Sequence, residues 1–197
     1  SFIGLDFIYD KRNQKYQTTD GFFSSYNVNV PIISDTNTLT NIYNYKIFKE
    51  LYENNVSTLS LLFKTANSLS SDDIKLSERL YLSGRRLRGF ESGKVGPKDG
   101  NDFIGGNYVS SINATTTVPV FFQNVQNVDV VMFADAANIW GVDYDSSLDN
   151  SGIRSSVGLG LDWLTPVGPL TFSFAHPVTK ESTDIEETFR FNIGTTF

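Results

Sequence analysis

The 197-residue sequence contains no cysteine and only one histidine. The absence of cysteine excludes disulfide scaffolds, thiolate nucleophiles and cysteine-ligated zinc, and a single histidine excludes the metal motifs that need two. As a catalytic base, His176 would need a nucleophile and an orienting acid, so we predict that the chain is not an enzyme. The acidic loop with Asp143, Asp145 and Asp149 lacks the full calcium-loop spacing, and we interpret it as solvated. We therefore expect no metal and no cofactor.

Basic residues are also scarce, because 16 Lys and Arg stand against 22 Asp and Glu, for a net charge of -6. Such a chain has no basic surplus with which to neutralise phosphate groups, so we predict no nucleic-acid partner. No run of apolar residues approaches 18 in length, and the sequence therefore predicts no transmembrane helix.

Aromatic residues, by contrast, are abundant at 14% of the chain, with 16 Phe and 9 Tyr. Apolar and polar residues alternate with period two, which is the pattern of a β-strand with one apolar face. The alternation recurs in nine stretches, at about residues 3–10, 25–32, 39–47, 58–64, 108–118, 128–136, 154–163, 170–175 and 188–197. The sequence therefore predicts an all-β protein.

Alternation alone fits either a soluble β-sandwich, whose apolar face is the core, or a membrane barrel, whose apolar face contacts lipid. Many of the nine stretches are 9–12 residues long, whereas strands of globular proteins usually have about 5–6 residues. The connectors are unequal, since 165–169 is short while 70–106 and 141–152 are long. Strand length, aromatic content and connector asymmetry together favour a transmembrane antiparallel β-barrel.

Nine strands do not make a complete bacterial barrel, because single-chain barrels have even strand numbers and must close. The sequence opens at Ser1 directly in an alternating stretch, without an initiator methionine or a signal segment. We therefore expect residues 1–197 to be the C-terminal part of an outer-membrane β-barrel domain whose N-terminal part, with any signal peptide, lies upstream. The terminal Phe197 resembles the C-terminal aromatic signal of outer-membrane barrel proteins.

The second half of the chain contains an ordered set of motifs, namely Leu87-Arg88-Gly89-Phe90, Val95-Gly96-Pro97, Gly105-Gly106-Asn107, and the longer runs at 133–140, 158–170 and 189–194. This set resembles the BamA family of outer-membrane protein assembly factors. Each motif is weak alone, and the strength lies in their order. The resemblance implies that the nine strands are the eighth to sixteenth of a sixteen-strand barrel, and that residues 70–106 form a long loop folded into the lumen.

The resemblance also implies a site. Arg88, Gly89 and Phe90 would form the tip of the lumenal loop, with Asp135 as the acidic partner of Arg88. Where the family often has a second acid, this sequence has Thr115, so the partnership of Arg88 rests more heavily on Asp135. Taken as a lone tripeptide, Arg-Gly-Phe fits a solvated loop better than a buried one; inside a lumen, the guanidinium needs a carboxylate. We therefore treat Arg88–Asp135 as a candidate latch.

The function implied by the resemblance is the insertion of β-barrel proteins into the outer membrane of a Gram-negative bacterium. A weak seam beside the last strand would open sideways, and its edge would template a strand of the client protein. The implied partners are outer-membrane lipids, unfolded outer-membrane protein clients, and accessory lipoproteins bound through upstream periplasmic domains. The candidate seam residues are Thr188, Phe189, Arg190, Phe191, Asn192, Ile193, Gly194 and Phe197.

Other functions stay open on the sequence alone. A TamA-like assembly barrel and a two-partner-secretion transporter share the Arg-Gly-Phe/Tyr loop, although the motifs from Glu91 to Asn107 favour the BamA family. A passive outer-membrane pore, in which the long loop is a constriction, would show steady conductance. A soluble β-sandwich binding module would be monodisperse without detergent.

Overall fold

A computed structural model describes residues 2–15, 17–32, 37–119, 127–166 and 168–194. Almost all regular structure in these ranges is β, with two single-turn 3-10 helices at Leu76–Glu78 and Ser146–Leu148. Within the same ranges, no helix has the length and apolar character needed to cross a membrane. The predicted C-terminal aromatic, Phe197, lies outside the described residues.

The strands follow the predicted alternation closely. In chain order they are β1 (Phe2–Asp10), β2 (Asp20–Pro31), β3 (Thr38–Tyr52), β4 (Asn55–Ser68), β5 (Gly89–Phe90), β6 (Lys98–Asp99), β7 (Asp102–Phe103), β8 (Tyr108–Thr117), β9 (Val128–Trp140), β10 (Arg154–Thr165), β11 (Gly168–Thr179), β12 (Glu186–Glu187) and β13 (Phe189–Ile193). Over the described part of the chain, nine of them form one antiparallel sheet in the order β1-β2-β3-β4-β8-β9-β10-β11-β13. The prediction of an all-β antiparallel sheet of nine strands is confirmed.

The outer face of this sheet carries large apolar side chains that no second layer of the described residues covers. Met132 on β9, Leu159 on β10 and Phe174 on β11 are each more than half exposed. Aromatic rings meet across neighbouring strands on this face, as Phe172 and Phe191 do with ring centroids 4.9 Å apart. An exposed apolar face of this extent is the lipid-contacting surface of a membrane barrel, and it argues against a β-sandwich, whose apolar face would be buried.

Part of the inner face is covered by the long loop between β4 and β8, which folds back against β8 and β9. An isolated antiparallel bridge pairs Leu80, within the loop, with Gly106, close to the start of β8. A buried apolar cluster holds the loop to β8 and β9, and its members are Leu82, Leu87, Phe90, Val95, Val109, Ala137 and Ile139. Burying large apolar side chains contributes about 1.5–3 kcal/mol each, so this cluster is a main reason that the loop stays inside.

The inner face is therefore less polar than the alternation predicted. The predicted inner residues were hydroxyl, amide and charged side chains, yet Val109 and Ile139 point inward and are fully buried. The reason is that the folded loop gives this part of the inner wall its own apolar partner, so Ala137 and Ile139 of β9 pack against apolar side chains of the loop.

The last strand also differs from its predicted extent. The sequence predicted one strand from Glu187 to the C-terminus, but Glu186 and Glu187 pair with Phe90 and Gly89 of the loop instead of with β11. Pairing with β11 begins where the Ala175 N–H donates to the Thr188 carbonyl at 2.9 Å. The segment thus changes its pairing partner at Thr188, from the lumenal loop to β11 of the large sheet. The reason is that the backbone edge of the loop at Gly89–Phe90 is free to pair with Glu186 and Glu187.

Candidate functional site

The tip of the lumenal loop depends on one glycine. Gly89 has φ +93°, a left-handed conformation in which a side chain would be strained, and a Cβ there would lie 3.2 Å from Ala175 and 3.3 Å from Ser156. The turn points Arg88 and Phe90 to different surroundings. Phe90 is completely buried in the apolar cluster, and Arg88 reaches along the inner wall.

Arg88 and Asp135 meet in a two-pronged ion pair. Nε of Arg88 lies 2.7 Å from Oδ2 of Asp135, and Nη2 lies 2.7 Å from Oδ1. The main-chain N–H of Arg88 also donates to Oδ2, at 3.1 Å. The Asp135 side chain is fully buried, whereas that of Arg88 is 15% exposed. Parallel hydrogen bonds between a guanidinium and a carboxylate fix direction as well as distance, which a lysine does not reproduce.

Two further side chains complete the surroundings of this pair. The Asn113 amide donates to Oδ1 of Asp135 at 2.9 Å and to the carbonyl of Arg86 at 2.8 Å. Thr115, where the family often has an acid, lies with its hydroxyl 3.4 Å from Nη2 of Arg88. Within the described residues, Arg88 therefore has one carboxylate partner, Asp135, and one hydroxyl neighbour, Thr115.

The aromatic ring of Phe133 lies against the face of the Arg88 guanidinium. The guanidinium carbon of Arg88 lies 3.5 Å from the ring centroid of Phe133, a cation–π contact. Gly158 on β10, which pairs with Phe133, gives the ring its space, because a Cβ at Gly158 would lie 2.4 Å from Cζ of Phe133. Asn113, Phe133 and Gly158 were not predicted from the sequence as site residues. The pairing register of β8, β9 and β10 would have identified them, because all three occupy inward positions beside Asp135.

The seam residues of the described range lie where the sequence placed them, on and next to the last strand. Phe189, Phe191 and Ile193 face outward and are 47%, 44% and 62% exposed. Arg190 occupies the inward face with Asn192, and the Gly194 N–H donates to the carbonyl of Pro169 at 2.9 Å. This end of the sheet therefore has an apolar outer side and a polar inner side.

A second buried ion pair, between Arg154 and Asp184, joins two connectors of the sheet and was not predicted from the sequence. Arg154 donates through Nε to Asp184 at 3.0 Å and through Nη2 at 3.2 Å, and both side chains are fully buried. Arg154 also donates to the Gly152 carbonyl at 2.6 Å, and Asp184 accepts from the Glu181 N–H at 2.8 Å. The pair thereby ties the β9–β10 connector to the β11–β12 connector. The inward position of Arg154 indicates that it needs an acidic partner. The alternation of apolar and polar residues does not show that this partner is Asp184, 30 residues away.

The acidic connector after β9 is used for structure. Asp143 forms an ion pair with Arg79 and accepts the Ile74 N–H at 2.7 Å. Burial acts to raise the pKa of Asp143, but this N–H and the nearby Arg79 charge outweigh it and hold the pKa below its usual value. Asp145 accepts the Ser147 N–H at 2.9 Å. Among the described residues, no three acidic or histidine side chains are grouped to hold a metal ion.

Comparisons with known proteins find relatives of this chain in both sequence and structure. The sequence matches the model of the Omp85 superfamily domain over residues 1–197. The outer membrane protein assembly factor BamA of Neisseria meningitidis serogroup B is 32% identical over 154 residues, which cover 64% of this chain and 19% of that protein. BamA of Neorickettsia risticii is 29% identical over 147 residues, which cover 72% of this chain and 20% of that protein.

A crystal structure of BamA from Haemophilus ducreyi, lacking POTRA domains 1–3, superposes with a TM-score of 0.89 and 25% identity. The superposition covers 96% of this chain and 41% of that one. The chain spans about a fifth of the length of the curated BamA relatives described above.

Proposed function

This chain belongs to the Omp85 superfamily and is located in the outer membrane of a Gram-negative bacterium, and we propose from that membership that it serves the assembly and insertion of β-barrel proteins there. The resemblance to the BamA family that the sequence motifs predicted is confirmed by these relatives. The two BamA relatives are named as outer membrane protein assembly factors.

The observation that carries the proposal is the state of the last strand. Phe189–Ile193 is the outermost strand of the nine-stranded sheet, next to β11. Within the described residues, β13 pairs on one side only, from Phe189 opposite Phe174 to Ile193 opposite Leu170. In lipid, an edge with unpaired N–H and C=O groups costs several kcal/mol per group, so this edge needs a partner strand.

Two kinds of strand fit that edge. One is the first strand of the complete barrel, which would close it, and the other is a strand of a client protein, which would be added by backbone hydrogen bonding. Because one set of hydrogen bonds replaces the other, the exchange needs no nucleotide and no covalent step. We propose that the seam opens sideways at β13 and that its edge templates the client, without enzymatic catalysis.

The outer face of β13 indicates which partners the chain would contact. Phe189, Phe191 and Ile193 present apolar side chains outward, where acyl chains and the apolar face of a client strand would lie. Unfolded outer-membrane proteins are the proposed clients. Accessory lipoproteins are proposed to bind through periplasmic domains upstream of this chain.

Disulfide cross-linking in the full-length protein tests the templating step. Ile193→Cys places a thiol on the outer face of β13, and Leu159→Cys places a matched thiol on the same face of the central strand β10. The two native side chains are similarly exposed, at 62% for Ile193 and 54% for Leu159. A client with one cysteine in its terminal strand should cross-link to the Ile193→Cys variant during insertion into vesicles and not to the Leu159→Cys variant. Equal cross-linking at both positions, or none at position 193 while insertion proceeds, would contradict templating at β13.

The same vesicles separate an assembly factor from a passive pore. An assembly factor accelerates the appearance of folded client, whereas a passive pore gives steady conductance and leaves the rate of client folding unchanged. The vesicle assay therefore tests the assembly role independently of the position at which the client binds.

A further inference from the structure

Arg190 links the last strand to the lumenal loop. It lies on the inward face of β13, where its Nη2 donates to the main-chain carbonyl of Phe90 at 2.8 Å. The same nitrogen forms an ion pair with Glu187, three residues earlier. The Arg190 side chain is only 13% exposed. The guanidinium therefore lies between the wall of the sheet and the tip of the loop.

Gly84 provides the space that this guanidinium occupies. A Cβ at Gly84 would lie 1.6 Å from Nη1 and 1.9 Å from Cζ of Arg190, and the three nearest atoms all belong to Arg190. The φ of Gly84 is outside the left-handed region, so its backbone conformation is open to any residue. The atoms that a side chain at position 84 would meet first are therefore those of the Arg190 guanidinium.

The main chain reinforces the link. Glu187 pairs with Gly89 and Glu186 with Phe90 in the short β12–β5 ladder. On the same side of the loop, the Glu91 N–H donates to the Ile185 carbonyl at 2.8 Å, and the Ile185 N–H donates to the Lys94 carbonyl at 3.1 Å. The segment that leads into the last strand is therefore bonded to the loop before the strand joins the wall.

The arginine is not held by a complete set of hydrogen bonds. Its Nε is buried and has no hydrogen-bond partner within the described residues. A buried donor without a partner lowers stability, so this side chain is not an optimal choice for the stability of the strand alone. Its two contacts, to the Phe90 carbonyl and to Glu187, instead join the loop tip to the last strand.

We propose that Arg190 is a positioning residue that fastens the lumenal loop to the last strand, so that displacement of this strand at the seam and release of the loop are one coupled event. The link between the loop and the last strand is supported by the contacts of Arg190 with Phe90 and Glu187 and by the β12–β5 ladder. Only the displacement by a client rests on the proposed function.

The fastening is tested in the detergent-solubilised full-length protein with a reporter thiol in the loop. Val95 is 2% exposed and lies in the apolar cluster, so Val95→Cys is expected to react slowly with a maleimide. Adding Arg190→Gln should raise the labelling rate about tenfold or more, since a hydrogen bond to a charged group is lost. Asn192→Ala, on the same strand and the same face, should leave the rate unchanged. Equal rates for Arg190→Gln and its parent overturn the proposal.

A double mutant distinguishes this link from a general loss of stability. With Arg190 present, Gly84→Ala should expel the guanidinium and raise labelling at position 95 as Arg190→Gln does. With Arg190→Ser, the added Cβ has no guanidinium to collide with, and Gly84→Ala should have no further effect. If Gly84→Ala raises labelling equally in both backgrounds, the proposal is wrong, and this comparison holds even if Arg190→Gln folds poorly.

Client addition tests the coupling. Binding of a client to the Val95→Cys protein should raise its labelling rate, and in the Arg190→Gln protein the rate should be high with or without client. An unchanged rate with client, while the client still cross-links to the Ile193→Cys variant in the parallel assay, overturns the coupling. Absence of that cross-link rejects the proposed templating, and the Gly84 comparison still decides on the fastening.

Discussion

Arg88 and Asp135 lie 47 residues apart in the chain and meet through two side-chain hydrogen bonds of 2.7 Å each. The carboxylate is fully buried and also accepts the Arg88 main-chain N–H and the Asn113 amide. One side chain of the wall therefore fixes the guanidinium, the backbone of the loop tip and a neighbouring strand. This convergence is why we propose that the pair is the latch that keeps the loop inside.

The latch predicts unequal effects for two conservative substitutions. Asp135→Asn leaves the Arg88 guanidinium without an anion and should lower the free energy of unfolding by about 3–5 kcal/mol. Arg88→Lys keeps the charge but loses the fork, so its effect should be smaller. The unfolding midpoint in denaturant, followed in the folded full-length protein, measures both. Equal and small effects would mean that the pair does not hold the loop.

The charge-swapped double mutant, Arg88→Asp with Asp135→Arg, serves as the control for a direct pair. Partial rescue relative to either single mutant is expected, because the swapped residues attract one another. Full rescue is not expected, since an arginine at position 135 cannot accept the Arg88 main-chain N–H and the Asn113 amide. A double mutant no more stable than the worse single mutant would argue against direct pairing.

Gly158 should tolerate no side chain. In Gly158→Ala the new Cβ would lie 2.4 Å from Cζ of Phe133 and 2.2 Å from the Phe174 carbonyl, so the ring beneath Arg88 must move. Overpacking of this kind costs about 1–3 kcal/mol. Thermal unfolding of Gly158→Ala should occur at lower temperature than that of Val157→Ala, its outward-facing neighbour. If both variants unfold at the same temperature, the space beside Phe133 has no role.

The fold was predictable because a wall strand has one face in lipid and one in the lumen, and this difference imposes period two on the sequence. The contact between Arg88 and Asp135 could be proposed from the family motif around Arg88, whereas its role as a latch stays a prediction. The apolar inner wall at Val109 and Ile139 was not, because alternation describes each strand alone and the loop that covers them is distant in sequence. The pairing of Glu187 with Gly89 escaped prediction for the same reason.

The Arg154–Asp184 pair should contribute far more than an exposed pair nearby. Both of its side chains are fully buried, whereas those of Lys180 and Glu186 are 52% and 41% exposed. Asp184→Asn leaves a buried guanidinium unpaired and should cost about 3–5 kcal/mol. Glu186→Gln should cost less than about 1 kcal/mol. Chemical unfolding of the two variants measures the difference, and equal costs would show that burial of Arg154 does not matter.

The contribution of Asp143 should depend on pH in a defined direction. Its pKa is held below the usual value, with burial opposed by the Ile74 N–H and the Arg79 charge. The stabilisation is therefore complete above the unfolded-state pKa of about 3.9 and is lost as the pH falls through the lower, folded-state pKa. The stability difference between the parent and Asp143→Asn should be constant from pH 7 to pH 5 and shrink below pH 4. A difference that is the same at pH 3 and pH 6 would contradict this origin.

Hydrogen–deuterium exchange of the last strand tests the central claim most directly. In the full-length protein in lipid, the amides of Phe189–Ile193 should exchange faster than those of the central strand Arg154–Thr165, because the seam opens. On addition of an unfolded client, exchange in Phe189–Ile193 should slow while that of Arg154–Thr165 stays constant. If the last strand is as protected as the central strand without client and is unchanged when client inserts, the strand only closes the barrel and templating at this edge is wrong.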